Sequence, residues 1–418
     1  MSNVTPLVVV ESVSIFDAVS GDLHQDWTLI ARDGTLDWIG PVASAPDVSE
    51  NAYVINGAGK VALPGLIDCH VHLAADGSPD FAAQQMSDSV PRAVLRAAAS
   101  AGHLLENGIT TVRDCGSANN VAIELGRAIS DGLVWGPRVV AAGRVITMTG
   151  GHCHFIGQEC DGEDGVRAAT RREIKAGAQF IKVMATGGVL TPGVSPQQVA
   201  LIPSELRTIV ETAHNAGKRV TSHAIGNAGI KNALRANVDS IEHGFHLDPE
   251  AIQLLLDQDA FLVPTLHAID VELENEDKLP PWIAEKALSE SHYLRDSFVA
   301  ALAAGVKIAA GTDAGTPFNL PGELARELER MVDLGMSPTK ALLAATRDAA
   351  DNIGLLSTLG TLEQGKVADV VIVDGDPTRD ITALRRVAAV LYGGRVFIPG
   401  PEQSDRGSLP VRRSHQPQ

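Results

Sequence analysis

The chain reads as an α/β protein: a (β/α)8 barrel of the TIM type, carrying a small β-sandwich built from its N- and C-terminal segments. Three features predict this. Between about residues 61 and 315, eight apolar, strand-like runs alternate with alanine- and leucine-rich helical stretches. Several of those stretches close on a glycine, as "ENG", "NAG" and "AAG" do. Short strands with turn signals occupy both ends of the 418-residue chain.

Residues 1–60 hold short strand runs broken by turns such as "RDGTLDWIG" and "INGAGKVALPG", and form the first part of the sandwich. The barrel strands follow as "LIDCHVHL" (66–73), "ITTVRD" (109–114), "RVVAAGRVIT" (138–147) and "QFIKVMA" (179–185). Four more are "RVTSHA" (219–224), "DSIEHG" (239–244), "FLVPTL" (261–266) and "KIAAGTDA" (307–314). Segments such as "PRAVLRAAASAGHLLENG" and "PSELRTIVETAHNAGK" supply helical periodicity between them. The strand runs are nearly continuous in apolar character, as parallel strands covered on both faces require. Eight such units in about 250 residues is the size of a closed barrel. The helix-rich stretch 321–356 completes a barrel spanning 61–356. Residues 357–402 return to short strands, "GTLEQGKVADVVIVDGDP" and "VAAVLYGGRVFIPG", and join the first sixty residues because neither end alone has strands enough for a core. The final stretch is polar, with Pro, Gly and Ser, and residues 403–418 are expected to be a frayed tail.

Composition narrows the function. Hydrophobic content of 44% and charged content of 20% are ordinary for a globular protein. No apolar run approaches the ~18–20 residues a membrane span needs, so no membrane partner is expected. A net charge of −17 without any basic cluster argues against a nucleic-acid partner. "MSNVTPLVVVESVSIFDAVSGD" lacks a basic n-region and a cleavage-like site, so a cytoplasmic location is expected unless an export signal has been trimmed. The four cysteines, Cys69, Cys115, Cys153 and Cys160, are too few for a disulfide scaffold and form no C-x-x-C pair, so small core thiols are expected. "GNAG", "GTDAG" and "ATGGV" do not make G-x-G-x-x-G, and G-x-S-x-G is absent. With 4% aromatics there is no stacking platform for bases or extended sugars.

In such barrels the working residues gather at the C-terminal ends of the strands. Those ends carry His70 and His72, Lys182, His223, His243 and Asp313. His70 and His72 flank one valine, so both point to the same face of their strand. Each of the six has an ordinary explanation alone. Lys182 could snorkel from the barrel mouth, His223 and His243 could be hydrogen-bonded core residues, and Asp313 could cap a helix. Six such coincidences at one rim are much less expected than any one. Four imidazoles, a carboxylate and a lysine suit zinc or a similar borderline cation. The lysine needs an account, since an ammonium repels a dication. Reaction with CO2 would make Lys182 a carbamate, an anion whose two oxygens can bridge two divalent ions. Two dications against the carbamate, Asp313 and a bridging hydroxide leave a net positive, Lewis-acidic site.

This set, with "LPGLIDCHVHL", "GITTVRDCG", "GPRVVAAGRVITMTGGH", "FIKVMATGGV", "SHAIG…IEHG", "GTDAG" and "GTLEQGKVADVVIVDGDP", resembles the binuclear, carboxylated-lysine branch of the amidohydrolase superfamily. Within it the text is similar to Xaa-Pro dipeptidases, N-acyl-amino-acid hydrolases and imidazolonepropionase-like enzymes, a neighbourhood that includes ochratoxin-hydrolysing amidases. The resemblance covers about residues 5–400. It implies that His70, His72 and Asp313 hold one Zn2+, that His223 and His243 hold another, and that carboxylated Lys182 bridges them. It further implies that Asp313 takes the proton of the bridging hydroxide as it attacks an amide carbon and passes it to the leaving amine. The expected reaction removes a C-terminal amino acid from a dipeptide or N-acyl amino acid, so the partners are a small-molecule amide and, as a homo-oligomer, further copies of the chain.

Two alternatives stand beside this: hydrolysis of a cyclic amide or deamination on the same scaffold, and a catalytically inactive structural oligomer. The bridging lysine argues against mononuclear deaminases, and the presence of all six ligands argues against an inactive relative. In the loop "TMTGGHCHFIG", either His152 or His154 is expected to donate to a tetrahedral oxyanion or a substrate carboxylate, a water-facing loop histidine being the plainer alternative. Cys153 stands where the family commonly has glycine, and Ile225 where relatives often have a second histidine. Arg144 and His267 read as a salt-bridged arginine and a loop histidine.

Overall fold

Parallel strands that are apolar on both faces need cover on both sides, and the barrel solves this by closing on itself inside a ring of helices. The structure, a computed structural model, describes residues 7–48 and 51–399. The tail expected over 403–418 lies outside the described residues. The barrel strands are Leu66–Val71, Ile109–Asp114, a third in two pieces (Arg138–Ala141 and Val145–Thr147), Ile181–Met184, Val220–Ala224, Ser240–His243, Phe261–Val263 and Lys307–Ile308. Neighbours pair in parallel around the barrel. Registers such as Met184 beside His223, and Ala224 beside His243, bring the ends of the fourth, fifth and sixth strands to a common level.

Closure is made by backbone hydrogen bonds between the first strand and the segment after the eighth. Cys69 N–H donates to the Ala310 carbonyl (2.9 Å), Asp313 N–H to that of His70 (2.8 Å), and His72 N–H to that of Ala314 (2.7 Å). Asp68 locks the seam from inside. Its Oδ1 accepts from the N–H groups of His70 (3.1 Å) and Thr312 (3.0 Å), and its Oδ2 accepts from the Thr312 hydroxyl (2.7 Å). Burial pushes this carboxyl up to about 7 against the pull of those bonds.

Three strands differ from the sequence expectation. The run 138–147 is broken at residues 142–144, where Gly143 (φ +76°) turns the chain and lets the Glu173 carboxylate accept from Arg144 N–H (3.1 Å). The break lets the first half pair with the second strand and the second half with the fourth. The seventh strand stops at Val263, before Pro264 can remove a ladder donor, and a helix, Leu266–Glu274, starts within the expected run. Only Lys307–Ile308 of "KIAAGTDA" is regular strand; the rest is the closing segment just described.

The two chain ends meet in one eight-stranded sheet, where Lys60–Pro64 runs antiparallel to Val370–Asp374. Strand alternation sorts its side chains. Val61, Leu63, Val371 and Val373 pack with the barrel core, whereas Ala62, Val370 and Ile372 join Val8, Val10 and Leu29 in a second apolar cluster. Among the described residues no helix is long and apolar enough to cross a membrane.

The sheet is pinned to the barrel at Asp369, which accepts from Arg138 (2.8 Å) and from Gly393 N–H (2.8 Å), while its own carbonyl accepts from Gly65 N–H (2.9 Å). Gly65 packs against Thr110 so closely that an added Cβ would lie 2.9 Å from the Thr110 Cβ and nearer still to its branches. We expect Gly65→Ala to lower unfolding free energy by about 1–3 kcal/mol, and Thr110→Ala to recover part of that loss. Chemical denaturation of the two single variants and the double variant checks this.

Candidate metal centre

The barrel mouth collects five imidazoles in one continuous contact. Ring centroids are 5.4 Å apart for His72 and His70, 5.1 Å for His70 and His243, 4.6 Å for His243 and His223, and 4.4 Å for His223 and His152. His70, His72, Lys182, His223, His243 and Asp313, the six residues singled out from the sequence, all line one cavity of about 560 Å3 including its open mouth. His152 lines the same cavity. His154 is not among the lining residues; it opens a short 3-10 turn and packs its ring edge on Phe155.

What each imidazole does with one nitrogen determines what the other offers. His70 Nδ1–H donates to Glu242 Oε2 (2.7 Å), and His72 Nδ1–H donates to the Gly116 carbonyl (2.8 Å), so both present a lone pair on Nε2. His223 is turned the other way: Nε2–H donates to the Gly187 carbonyl (2.9 Å), leaving Nδ1 free. His243 Nδ1 bonds the Thr265 hydroxyl (2.8 Å). Asp313 Oδ1 lies 3.3 Å from His70 Nε2 and 3.2 Å from His72 Nε2. Three polar atoms thus converge, one carboxylate oxygen and two imidazole nitrogens, a donor set that a cation would complete. One ligand atom each from His70, His243 and Asp313 lies within 4.8 Å of the others.

The electrostatics run the same way. Burial lowers the pKa of His70, His152 and His243 well below the usual histidine value, and lowers that of His223 to about 4; Lys182 or neighbouring imidazoles add to each shift. These rings are therefore neutral bases near neutral pH, the state in which imidazole binds a metal. His72 is the exception: burial pulls it down, but its contact with Asp313 outweighs that and raises it. Burial works to raise the Asp313 carboxyl as well, yet His70 and His72 hold it well below the usual range. Lys182 is 1% exposed, and its Nζ has no hydrogen-bond partner among the described residues. A buried amine with nothing to donate to is the atom a CO2-derived carbamate would convert into an acceptor.

Three site residues hold left-handed backbone: His243 (φ +71°), Thr265 (φ +52°) and Asp313 (φ +61°). Each costs of order 1–3 kcal/mol for a non-glycine residue, a burden that functional sites retain where the surrounding fold enforces it. Cys153 shares that conformation (φ +53°), which glycine adopts without strain. The strand-3 loop is held nonetheless. Thr191 Oγ1 meets His152 Nδ1 (2.9 Å) and accepts from Cys153 N–H (3.0 Å), and Lys286 Nζ donates to the Thr191 (2.8 Å) and Val194 (2.7 Å) carbonyls.

Sequence reading missed the residues behind the imidazoles. Glu242 precedes His243 in "IEHG" and Arg113 sits in "TVRD", but nothing in the local spacing links them to His70. In the fold, Arg113 donates to Glu242 Oε1 (2.6 Å) and to the Cys69 carbonyl (2.6 Å), and Ser240 donates to Glu242 Oε1 (3.0 Å). Burial would raise the Glu242 carboxyl, but Arg113 and Lys182 lower it overall. Arg144 forms the salt bridge expected of it, with Glu173 (2.9 Å). His267 is buried on the helix after the seventh strand, against Glu323 (3.2 Å), rather than in a loop. The four cysteines are free, three of them buried.

Comparison with known proteins agrees with this architecture. Residues 61–397 match the amidohydrolase family model. The chain is 30% identical to the ochratoxinase of Aspergillus niger over 412 residues, covering 90% of this chain and 84% of that protein. Among solved structures, a Xaa-Pro dipeptidase with methionine bound in its active site superposes with a TM-score of 0.87 at 32% identity, covering 94% of this chain and all (100%) of the other. A prolidase complexed with N-methylphosphonate-L-proline superposes with a TM-score of 0.85 at 30% identity, covering 94% and 99%. The chain belongs to the amidohydrolase family, and with it to the hydrolases that act on amide bonds.

Proposed function

We propose that this protein is a binuclear metal-dependent amidohydrolase that cleaves a dipeptide or N-acyl amino acid, releasing the C-terminal amino acid. One observation carries the reading: four imidazoles, Asp313 and the Nζ of Lys182, which has no partner among the described residues, converge in one buried mouth. The donor set fits two divalent cations, zinc foremost, held by His70, His72 and Asp313 on one side and His223 and His243 on the other, with carboxylated Lys182 between. Such cations supply Lewis acidity toward the amide carbonyl and ionise water near neutral pH. The relatives named above support the substrate class: one is a Xaa-Pro dipeptidase with methionine in its active site, another a prolidase complexed with N-methylphosphonate-L-proline.

The chain's own residues then divide the work. Asp313, whose carboxyl lies well below the usual range beside His70 and His72, would accept a proton from the attacking water and return it to the departing amine nitrogen. His152 lines the cavity with Nδ1 engaged by Thr191 and Nε2 3.4 Å from Cys153 Sγ; exchanging that sulfur contact would let Nε2–H donate to the tetrahedral oxyanion or to a substrate carboxylate. His154 stands away from the cavity lining, which favours His152 for that role. Glu242 keeps His70 in one tautomer, as carboxylates behind metal-bound histidines do.

Elemental analysis of the purified protein is expected to return close to two divalent ions per chain, and exhaustive chelation is expected to abolish amide hydrolysis until metal is restored; a chelated, metal-free protein with full activity would overturn the reading. Lys182→Ala should lose metal and activity together, with partial rescue by short carboxylic acids, measured by metal content and by turnover of an N-acyl amino acid. Asp313→Asn should retain its fold and most of its metal while kcat falls by roughly 10^2–10^4-fold. Near-normal kcat in that variant would remove Asp313 as proton carrier.

A further inference from the structure

The helix Leu266–Glu274 presents one face to the cavity: Thr265 just before it, then Ala268, Ile269 and Glu272, spaced as a single helical stripe. It carries three acidic residues, and two of them have partners on the other side. Asp270 meets Arg295 (2.5 Å) and Arg330 (3.0 Å), and Glu274 meets Arg330 (3.0 Å). Glu272 has none. It is 3% exposed, it lines the cavity, and its Oε2 is buried without a hydrogen-bond partner among the described residues.

An unpaired carboxyl in such a place is costly, because desolvation is not repaid. Burial, with Asp313 adding to it, pushes Glu272 up to about 8. Among the described residues, Lys182 is the one lysine or arginine lining the cavity, and it belongs to the candidate metal cluster. A ligand that brings its own donor into the cavity would complete it. A neutral acceptor could take a proton from the acid form, but a cation satisfies both the charge and the hydrogen bond, and charge-assisted bonds are about twice as strong as neutral ones. The same helix pairs its outer acids with guanidinium groups. Apolar walls from Phe81, Leu190, Phe245 and Ile269 leave room for the hydrocarbon that would carry such a cation.

We propose that Glu272 is a specificity-determining residue that receives an ammonium or guanidinium group of the substrate, so that this hydrolase favours positively charged amides. The charge would come from the free amino group of a dipeptide or from a basic side chain. The inference rests on the amide-hydrolysis reading for its reaction, though not for its binding.

Three compounds of matched shape separate the possibilities: propionyl-norleucine, which has no cation; alanyl-norleucine, which adds only the α-ammonium; and propionyl-lysine, which adds only the side-chain ammonium. With the metal-loaded protein, kcat/KM for one of the cationic compounds should exceed that for propionyl-norleucine by at least about tenfold, and the favoured one identifies the source of the charge. The isosteric Glu272→Gln should collapse that ratio to within about threefold, with an unchanged thermal midpoint as the check on folding. Equal handling of all three by the native protein, or an unchanged ratio in E272Q, would overturn the proposal. Equilibrium binding of the same compounds, measured by calorimetry, decides it independently. If none is cleaved, the amide-hydrolysis reading fails, yet the binding ratio between cationic and neutral compounds, and its loss in E272Q, still supports or refutes the role of Glu272.

Discussion

A single buried carboxylate organises this protein's working end. Glu242 is completely inaccessible (0% exposed), and groups from four barrel strands converge on it: His70 from the first, Arg113 from the second, Thr221 from the fifth and Ser240 from its own. A charge this deep is tolerated only when it is paired and its lone pairs are occupied. Removing Arg113 would strand it, and removing Glu242 would strand the guanidinium in turn. The network therefore contributes arrangement more than net stability. It ties the register of distant strands to one imidazole and fixes which nitrogen that imidazole offers to the mouth.

The mouth also depends on backbone held where it would not rest by itself. His243, Thr265 and Asp313 take left-handed conformations at the tips of the sixth, seventh and eighth strands. All three side chains line the cavity. The seam between the first and eighth strands supplies the restraint, with Asp68 gripping Thr312 and the backbone of His70 just below Asp313. Apolar burial along the strands below is continuous, so the strain sits on a rigid base. Stability and chemistry are thereby separated along the barrel axis, with packing at the bottom and polar groups at the top.

Within the cavity, charge is placed unevenly. The floor gathers imidazoles, Asp313 and Lys182, the walls are apolar, and one carboxyl, Glu272, stands apart from the cluster on a helix whose other acids are already paired. The walls and the isolated acid come from loops and helices around the barrel mouth, the parts that commonly select a substrate on such a scaffold.

Much of the architecture was legible in the residues themselves. Continuous apolar runs separated by helical periodicity announce covered parallel strands, since burial on both faces leaves a mark at every position, and "ITTVRD" matches its strand residue for residue. The six mouth residues could be listed because barrel strands end in predictable places. The break at Gly143 and the irregular closing segment were harder to read, because each exchanges a ladder bond for a bond to a residue far away in the chain, whereas the early stop of the seventh strand follows from Pro264 within the run itself. By itself, then, the sequence determined the order of strands and helices and the kinds of donor atom at the rim, both of which follow from local periodicity and side-chain chemistry. Which imidazole nitrogen faces inward, how Glu242 meets Arg113 and His70, that His152 rather than His154 lines the cavity, and that Glu272 is left without a partner were decided only by tertiary structure, because each depends on groups separated by tens to hundreds of residues that meet only when the barrel closes.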